Sequence, residues 1–417
     1  MDLIIGAGIT GLSYAMFSKN SEYLILEKES EIGGYCRTTK RNGFVWDFSG
    51  HFFHFQDSDI KDLILKGMDK ENMVDVIKET KIKYKDILVD YPFQKNIHQL
   101  SKEELLDCLF DLFTVAQTEY KNFQEMLYCK FGKSIAEKFL IPYNEKLYAC
   151  NLNTLDKNAM GRFFPFADKE DIIRNFRKSD NSSYNGSFIY PKGGAVEYVK
   201  SVLENVDNKK ICCSKEIHEI DLKKHEVILD TGEKIKYDRL ISTLPFPILL
   251  DKAHVDYDKT IYTWNQVLCF NLGFDKKGAD TINHWLYFPE KKYCFYRVGF
   301  YDNILGQDKM SLYVELGFEK EAIIESNTWI GKVLRDLKEA GIVSEEQTLV
   351  DYQSILMNPA YVHINSHSIE DVIAKKKMLE VFDVYSIGRY GSWTYCSIED
   401  NIKEAKLLAE KLCTNIK

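Results

Sequence analysis

The first thirty residues alternate between short apolar runs and glycine-rich or polar positions. Residues 2–5 are typical of a buried strand, residues 12–18 follow as a helix, and residues 23–26 form a second apolar strand. A strand, a helix and a second strand in succession predict the start of an alternating α/β unit with a parallel sheet.

Further along the chain the spacing of apolar residues first predicts mainly helices. From residue 59 to about 140 the spacing is mostly helical, interrupted by a strand pair over 81–84 and 87–92. The helical period is clearest at six positions: Leu105, Leu106, Leu109, Phe110, Leu112 and Phe113.

The second half of the chain is richer in strands. A meander of short strands is predicted over 211–213, 216–220, 226–230 and 234–237, followed by a strand over 238–245. Residues 260–375 predict a second mixed α/β region. A strand at 384–388 and a final helix from about residue 400 close the chain.

The turn between the first strand and the first helix has the spacing Gly-x-Gly-x-x-Gly, formed by Gly6, Gly8 and Gly11. The first glycine permits a tight turn, the second leaves room for a pyrophosphate, and the third lets helix and strand pack closely. Ile9 and Thr10 then begin a helix whose N-terminal amides point at phosphate oxygens. Glu27 ends the second strand, where an acid accepts ribose hydroxyls. The N-terminus is therefore predicted to bind a dinucleotide.

A glycine pair and an arginine, Gly33-Gly34 and Arg37, follow closely after Glu27 and Lys28. Taken alone, the pair is a turn signal. Joined to the first motif, it resembles the flavoprotein family that includes amine oxidases, phytoene desaturases, protoporphyrinogen oxidase and UDP-galactopyranose mutase. The resemblance implies FAD as the cofactor, with the glycine pair under its pyrophosphate and Arg37 near the phosphates or the flavin. Lys28 is assigned to the same cofactor site.

The C-terminal stretch around residues 388–397 is similar to one found in UDP-galactopyranose mutases, with Gly-Arg-aromatic-Gly-Ser-aromatic-x-Tyr in order. In this flavoprotein class the preceding strand passes the ribityl chain, and the last helix points its N-terminus at the flavin. The resemblance implies that Gly388, Arg389, Tyr395 and Ser397 contact the cofactor. It also assigns Tyr395 to catalysis and Trp393 to the substrate.

Two internal stretches extend the resemblance. Residues 50–54 are similar to the mutase segment near the flavin ring, which assigns His51 to both cofactor binding and catalysis. Residues 131–148 are similar to the mutase helix and loop over the substrate, which assigns Tyr143 and Tyr148 to substrate binding. Taken as isolated residues, the histidine and the tyrosines are more typical of core packing than of ligand contact.

Arg297 lies in an apolar strand, where an unpaired charge is costly. Its partner is either a carboxylate such as Glu315 or a phosphate of a ligand, and the sequence leaves both open. The mutase resemblance assigns Arg297 and Tyr313 to catalysis and to the substrate diphosphate. Three arginines are candidates for a second diphosphate contact with the same two roles, and Arg174 is preferred among them: Arg162, Arg174 and Arg177.

Composition and charge limit the classes of binding partner that are expected for this chain. The net charge of -8 argues against nucleic acid or an anionic membrane as a partner. No apolar run approaches the ~20 residues of a membrane span. The ten cysteines lack CxxC spacing, so no metal site or disulfide framework is expected. Since the chain begins on the cofactor strand, no signal peptide is expected and the location is predicted to be cytoplasmic. A homo-oligomer is compatible with the sequence.

The predicted fold class is α/β, with a Rossmann-like FAD-binding domain of the amine-oxidase type, an inserted mixed-sheet substrate domain and a helical cap. The FAD-binding domain is expected to combine residues 1–58, 190–250 and 376–417. Residues 59–189 are expected to form the helical cap with short strands. Residues 251–375 are expected to form the substrate-binding α/β domain.

The mutase resemblance implies a reaction without net oxidation, in which N5 of the reduced flavin attacks the anomeric carbon of a nucleotide sugar. Sugar and nucleotide stay open, and NAD(P)H or another reductant is compatible with this chemistry. The main alternative is an amine oxidase or desaturase-type oxidoreductase, which shares both N-terminal motifs. A third alternative is a binding module without catalysis, such as the prenylated-GTPase escort proteins. Intact glycine motifs and Glu27 argue against this last alternative.

Overall fold

The computed structural model describes residues 1–180 and 186–414. In chain order the strands are β1 Asp2–Ile5, β2 Tyr23–Leu26, β3 Thr38–Arg41, β4 Phe44–Asp47, β5 Met73–Ile77, β6 Thr80–Tyr84, β7 Ile87–Asp90, β8 Ser187–Pro191, β9 Ile211–Cys212, β10 Ile217–Asp221, β11 Glu226–Leu229, β12 Lys234–Lys236, β13 Arg239–Ser242, β14 Thr263–Phe274, β15 Trp285–Tyr287, β16 Arg297–Phe300, β17 Ser311–Glu319, β18 Leu349–Met357, β19 Val362–His363 and β20 Val384–Ser386. The helices are α1 Ile9–Phe17, α2 Ser58–Leu65, α3 Lys102–Thr114, α4 Phe123–Ile135, α5 Ile141–Tyr148, α6 Lys169–Asn175, α7 Val196–Leu203, α8 Phe246–Lys252, α9 Tyr301–Leu305, α10 Ser326–Glu339, α11 Ser366–Glu380, α12 Gly388–Gly391 and α13 Ile398–Thr414.

The dinucleotide-binding half is built on a five-stranded parallel sheet in the order β20-β13-β1-β2-β9. Successive residues of β1 face opposite layers, so both faces of the sheet are covered. Ile4 packs with α1, α7 and α13, whereas Leu3 and Ile5 pack with α8 and the meander β10–β12. The predicted Rossmann-like fold is confirmed by this arrangement.

Two details of this half differ from the expectation. Ile211 and Cys212 pair with β2 at the edge of the parallel sheet and are not part of the meander, which contains only β10–β12. The parallel pairing places Ile211 against the apolar layer of α1. The last helix begins at Ile398 because the Ser397 hydroxyl accepts a hydrogen bond from the Asp400 amide at 3.1 Å.

The second half is built on a mixed sheet in the order β18-β14-β17-β16-β15-β6-β7, with β19 paired to β14. The β6–β15 pair is parallel and the remaining pairs are antiparallel. Strands β6 and β7 lie within residues 59–189, so this segment contributes to the substrate sheet as well as to the cap. The domain boundaries themselves stay a prediction.

The cap helices pack directly on the mixed sheet. A Cβ on Gly317 of β17 would lie 2.2 Å from the Lys146 carbonyl oxygen. The backbone of α5 therefore packs directly against the backbone of this strand. The predicted helix around residues 105–113 is present as α3, but only part of its apolar face is covered. Leu112 is buried, whereas Phe110 is 69% exposed. Within the described part of the chain, no helix has both the length and the apolar character of a membrane-crossing helix.

The close approach of α1 to the glycine turn gives a testable prediction. A Cβ on Gly11 would lie 2.0 Å from the Gly6 carbonyl oxygen, a backbone atom that cannot move away cheaply. We expect Gly11→Ala to lower the free energy of unfolding by about 1–3 kcal/mol or to prevent folding. Urea denaturation followed by circular dichroism measures the change.

Gly331→Ala is the matched control, because Gly331 lies at an exposed position of helix α10 and its Cβ would meet no heavy atom closer than 4.0 Å. This control should stabilise the protein by about 0.5–1 kcal/mol. Equal stability of the Gly11→Ala variant and the unmodified protein would contradict the proposed close packing.

Candidate functional site

The two glycine motifs lie edge to edge at the carboxyl end of β1. Gly8 and Gly33 form a parallel bridge, and the Gly33 amide donates a hydrogen bond to the Ala7 carbonyl at 2.9 Å. Gly33 and Gly34 have φ angles of 111° and 55°, which favour glycine. A Cβ on Gly34 would lie 3.4 Å from the Gly8 Cα. The motifs therefore present a side-chain-free backbone surface that suits a pyrophosphate.

Glu27 lies beside this surface with a fixed carboxylate. It is buried, and its Oε2 accepts a hydrogen bond from the Ala7 amide at 2.8 Å while Oε1 accepts one from the Glu29 amide at 3.0 Å. Each carboxylate oxygen keeps a further lone pair. The carboxylate can therefore also accept ribose hydroxyls. Lys28, by contrast, points to solvent with its side chain 63% exposed.

Arg37 is held against the glycine pair. Its Nε donates a hydrogen bond to the Gly34 carbonyl at 3.0 Å, and its guanidinium lies 4.7 Å from the centre of the Phe48 ring. Nη1 lies 3.5 Å from a carboxylate oxygen of Glu29. The arginine is thus fixed next to the predicted phosphate position.

The C-terminal segment is joined to the first turn of α1. The Asn401 side-chain oxygen accepts hydrogen bonds from the Arg389 amide at 2.7 Å and from the Thr10 hydroxyl at 3.1 Å. A Cβ on Gly388 would lie 2.8 Å from the Thr10 hydroxyl oxygen. The segment that carries Arg389 therefore lies next to the dinucleotide surface, although nearly 380 residues separate the two in sequence. Ser397 serves as the cap of α13.

Arg297 and Glu315 lie opposite each other on the adjacent strands β16 and β17. Nε and Nη2 of the arginine contact the two carboxylate oxygens at 2.5 and 2.8 Å, and the Ser49 hydroxyl donates a further hydrogen bond to the carboxylate. The sequence leaves open whether Arg297 pairs with a carboxylate or with a ligand phosphate. In the structure its partner is the Glu315 carboxylate. A guanidinium carries five N–H donors, so the donors on Nη1 are not used by this pair.

Arg389 lies against aromatic rings. Its guanidinium lies 5.3 Å from the Tyr361 ring centre and 4.7 Å from the Tyr395 ring centre, and these two rings stack on each other at 5.7 Å. Nη1 donates to the Cys396 carbonyl at 2.9 Å. In residues 1–180 and 186–414, no carboxylate lies within ion-pair distance of Arg389. A partly buried guanidinium without an anion is a candidate for binding an anionic ligand.

Buried tyrosines surround both arginines and link them. Tyr361 interacts electrostatically with Arg297 and with Arg389, and Tyr313 lies 5.8 Å below the Arg297 guanidinium. Burial raises the pKa of each of these phenols, so at neutral pH they are uncharged hydroxyl donors. The set comprises Tyr91, Tyr143, Tyr148, Tyr287, Tyr296, Tyr313 and Tyr361.

His51 lies in the same electrostatic neighbourhood. Burial, helped by the positive charge of Arg389, lowers the pKa of His51 to about 4, so the imidazole is neutral at physiological pH. Its Nδ1 is buried and has no hydrogen-bond partner within the described residues. Buried polar atoms are normally satisfied, so this nitrogen is a candidate contact for a bound ligand.

Two residues that the resemblance assigns to the substrate lie apart from the tyrosine cluster in this structure. Arg174 is 73% exposed and pairs with Glu170 one helical turn away at 2.5 Å. Trp393 is buried in the layer beneath the parallel sheet, edge to face with Tyr262 and Trp264 at 5.2 and 5.8 Å. Their assigned roles stay predictions.

The other two candidates for the second arginine are an ion-paired and an exposed residue. Arg162 pairs with Asp400 at 2.6 Å, and Arg177 is exposed. The resemblance assigns Arg389 to the cofactor alone, and no motif marks Tyr361. Tyr143 and Tyr148 lie in the tyrosine cluster, and their contact with a substrate stays a prediction.

The comparisons with known proteins agree with this geometry. Residues 4–65 match the family model for an NAD(P)-binding Rossmann-like domain. The chain is 22% identical to a coproporphyrinogen III oxidase of Staphylococcus aureus over 322 residues, which is 67% of this chain and 68% of that protein. It is 24% identical to a UDP-galactopyranose mutase of Mycoplasma pneumoniae over 229 residues, which is 50% of this chain and 53% of that protein.

A crystal structure of reduced UDP-galactopyranose mutase superposes with a TM-score of 0.90 at 25% identity, covering 99% of this chain and 93% of that chain. The fold and the dinucleotide surface therefore define an enzyme of the flavoprotein superfamily. Within that superfamily, the chain is UDP-galactopyranose mutase-like.

The Arg297–Glu315 pair gives a second prediction. Glu315→Gln keeps the side-chain shape but leaves the guanidinium without a compensating charge. We expect a loss of about 3–5 kcal/mol in the free energy of unfolding, measured by urea denaturation. The matched control is Glu170→Gln, which removes the exposed partner of Arg174 and should change stability by less than about 0.5 kcal/mol. Similar losses in both variants would show that the buried pair is not structurally important.

Proposed function

We propose that this protein binds FAD and interconverts the pyranose and furanose forms of a nucleotide sugar, for use in cell-surface glycan synthesis. The observation that carries the proposal is the pair of guanidinium groups, Arg297 and Arg389, whose charges both act on the buried Tyr361. Arg389 has no carboxylate partner in the described chain, so its positive charge is not compensated there. A nucleoside diphosphate is an anion of suitable charge and geometry for two arginines.

The residues at the first site fit FAD. The backbone surface of Gly8 and Gly34 has no side chain that would block a pyrophosphate, and Glu27 is fixed beside it to accept ribose hydroxyls. Arg37 supplies a positive charge at the glycine pair, and the unpartnered Nδ1 of His51 suits the polar edge of a flavin. When bound and reduced, FAD supplies a nucleophilic ring nitrogen that can attack an anomeric carbon without net oxidation.

The chain itself contributes charge stabilisation and positioning. As the bond between anomeric carbon and diphosphate breaks, negative charge grows on the departing phosphate oxygens. Arg297 and Arg389 keep their charge and neutralise it, and hydroxyls such as that of Tyr361 donate hydrogen bonds to the same oxygens. Because these groups are largely shielded from water, each contact is stronger than it would be in bulk solvent. The same contacts hold the diphosphate in place until it rejoins the sugar.

A flavin-dependent oxidoreductase is the second candidate, favoured by the likeness to a coproporphyrinogen III oxidase. The two guanidinium groups argue against an alkylammonium substrate, since like charges repel in a site of low dielectric constant. They do not argue against an oxidase whose substrate carries carboxylates. The two candidates differ in the fate of the electrons, which an experiment can follow directly.

The purified protein should contain about one equivalent of FAD. We expect the dithionite-reduced protein to convert at least one member of a panel of UDP- and dTDP-sugars to its furanose form, detected by NMR. Activity should require reduced flavin but consume no reductant stoichiometrically, and NAD(P)H is to be tested as the physiological reductant. Stoichiometric hydrogen peroxide release from an amine or porphyrinogen substrate would instead establish the oxidase. Colourless protein that takes up no FAD would refute both candidates.

Arg297→Lys and Arg389→Lys test the diphosphate contacts. A lysine keeps the charge but cannot reproduce the planar, multiple contacts of a guanidinium. We expect each substitution to lower kcat/KM by an amount that corresponds to about 2–4 kcal/mol of lost transition-state stabilisation, with unchanged FAD content. Arg335→Lys, at an exposed position of α10, is the matched control and should leave kcat/KM unchanged. A variant of Arg297 or Arg389 that melts early yet turns over normally would show that the residue is structural.

A further inference from the structure

The turn at residues 358–360 is held by two tyrosines from the cofactor side of the protein. The Tyr35 hydroxyl accepts a hydrogen bond from the Asn358 amide at 3.0 Å and donates to the Pro359 carbonyl at 3.4 Å. The Tyr390 hydroxyl donates to the Ala360 carbonyl at 3.2 Å. The rings of Tyr35 and Tyr390 meet edge to face at 5.9 Å. The two residues therefore form one clasp around the turn.

Each tyrosine of the clasp directly follows a residue assigned to ligand binding. Tyr35 comes next after Gly34, the second glycine of the pyrophosphate surface, and Tyr390 comes next after Arg389. The turn that they hold leads directly into Tyr361, whose ring stacks with the Arg389 guanidinium. The clasp thus lies between the dinucleotide surface and the proposed diphosphate site.

The opposite side of the turn is anchored in the mixed sheet. The buried Asn265 side chain accepts a hydrogen bond from the Tyr361 amide at 2.7 Å and donates to the Leu147 carbonyl at 2.5 Å. Trp264 Nε1 donates to the Asn358 side-chain oxygen at 2.7 Å. The sheet side of the turn is therefore tied to α5, whereas the clasp ties the turn to the cofactor side.

We propose that Tyr35 and Tyr390 are positioning residues that set Tyr361 and the Arg389 guanidinium in register with the bound dinucleotide. The inference rests on the proposed function. Burial raises the pKa of both phenols, that of Tyr35 to about 12, so both hydroxyls keep their protons at neutral pH and the clasp stays intact. Neither hydroxyl is required for the chemistry itself, and each acts through the backbone of the turn.

The test compares the FAD-loaded protein with its Tyr35→Phe, Tyr390→Phe and doubly substituted variants. UDP binding is measured by isothermal titration calorimetry, and FAD content by flavin absorbance. Loss of one hydroxyl should weaken UDP binding about three- to ten-fold with unchanged FAD content. Both residues hold the same turn. The fold-loss of UDP affinity in the double variant should therefore be smaller than the product of the fold-losses in the two single variants. Tyr237→Phe is the control, since the buried Tyr237 hydroxyl has no hydrogen-bond partner among the described residues.

A second measurement does not depend on the substrate. Amide hydrogen exchange of the segment 356–364 is followed by mass spectrometry as FAD is titrated into the full-length protein. FAD should slow exchange in the unmodified protein but not in the two single variants. Exchange that FAD slows equally in all three proteins would overturn the inference.

The remaining outcomes separate the inference from the proposed function. Normal UDP affinity in both variants would overturn the inference, and so would FAD content that falls in parallel with UDP affinity. An unmodified protein that holds FAD but binds neither UDP nor dTDP would refute the proposed function instead. The hydrogen-exchange measurement then decides the inference alone.

Discussion

Withdrawing two guanidinium groups from water is the constraint on which much of this structure depends. Arg297 is compensated by Glu315 directly across the strand pair, and the Ser49 hydroxyl supplies the carboxylate with a further donor. In the part of the chain that the structure describes, Arg389 is compensated by aromatic faces and a backbone carbonyl. The tyrosines that complete the surroundings are polar enough to approach the charges and apolar enough to pack in a core. Within the described residues, the charge of Arg389 is therefore not balanced by a carboxylate.

The position of Arg389 also depends on the dinucleotide surface at the other end of the chain. Asn401 receives hydrogen bonds from both Thr10 and the Arg389 amide, and Gly388 leaves no room for a side chain against Thr10. A displacement of α1 would therefore move the guanidinium as well. These contacts join the C-terminal segment to the first turn of α1, although the two are remote in sequence.

A shared fold does not decide between mutase and oxidase, since both kinds of protein are similar to this chain. The site is more informative than the fold. Paired arginines with neutral phenols select an anion, and the absence of a carboxylate beside Arg389 within the described residues leaves that charge for a ligand. An amine substrate would need the opposite electrostatics. A mutase and an oxidase differ in whether the bound flavin takes electrons from the substrate. The redox experiment therefore distinguishes the two most directly.

The sequence by itself determined the dinucleotide-binding unit, because its requirements are local. Gly6, Gly8 and Gly11 are demanded by a turn and by close backbone approaches that neighbouring residues impose, and the apolar runs determine the strands around them. The proposed pairing of Arg297 with Arg389 could not be found in this way. Spacing does not separate Arg174 from Arg162 and Arg177, and a motif match does not show that Trp393 lies in a core layer. Arg389 and Tyr361 meet only after distant strands have paired. Which charges face each other is decided by packing between remote segments, and the free energy of that packing is not encoded in the spacing of any one segment.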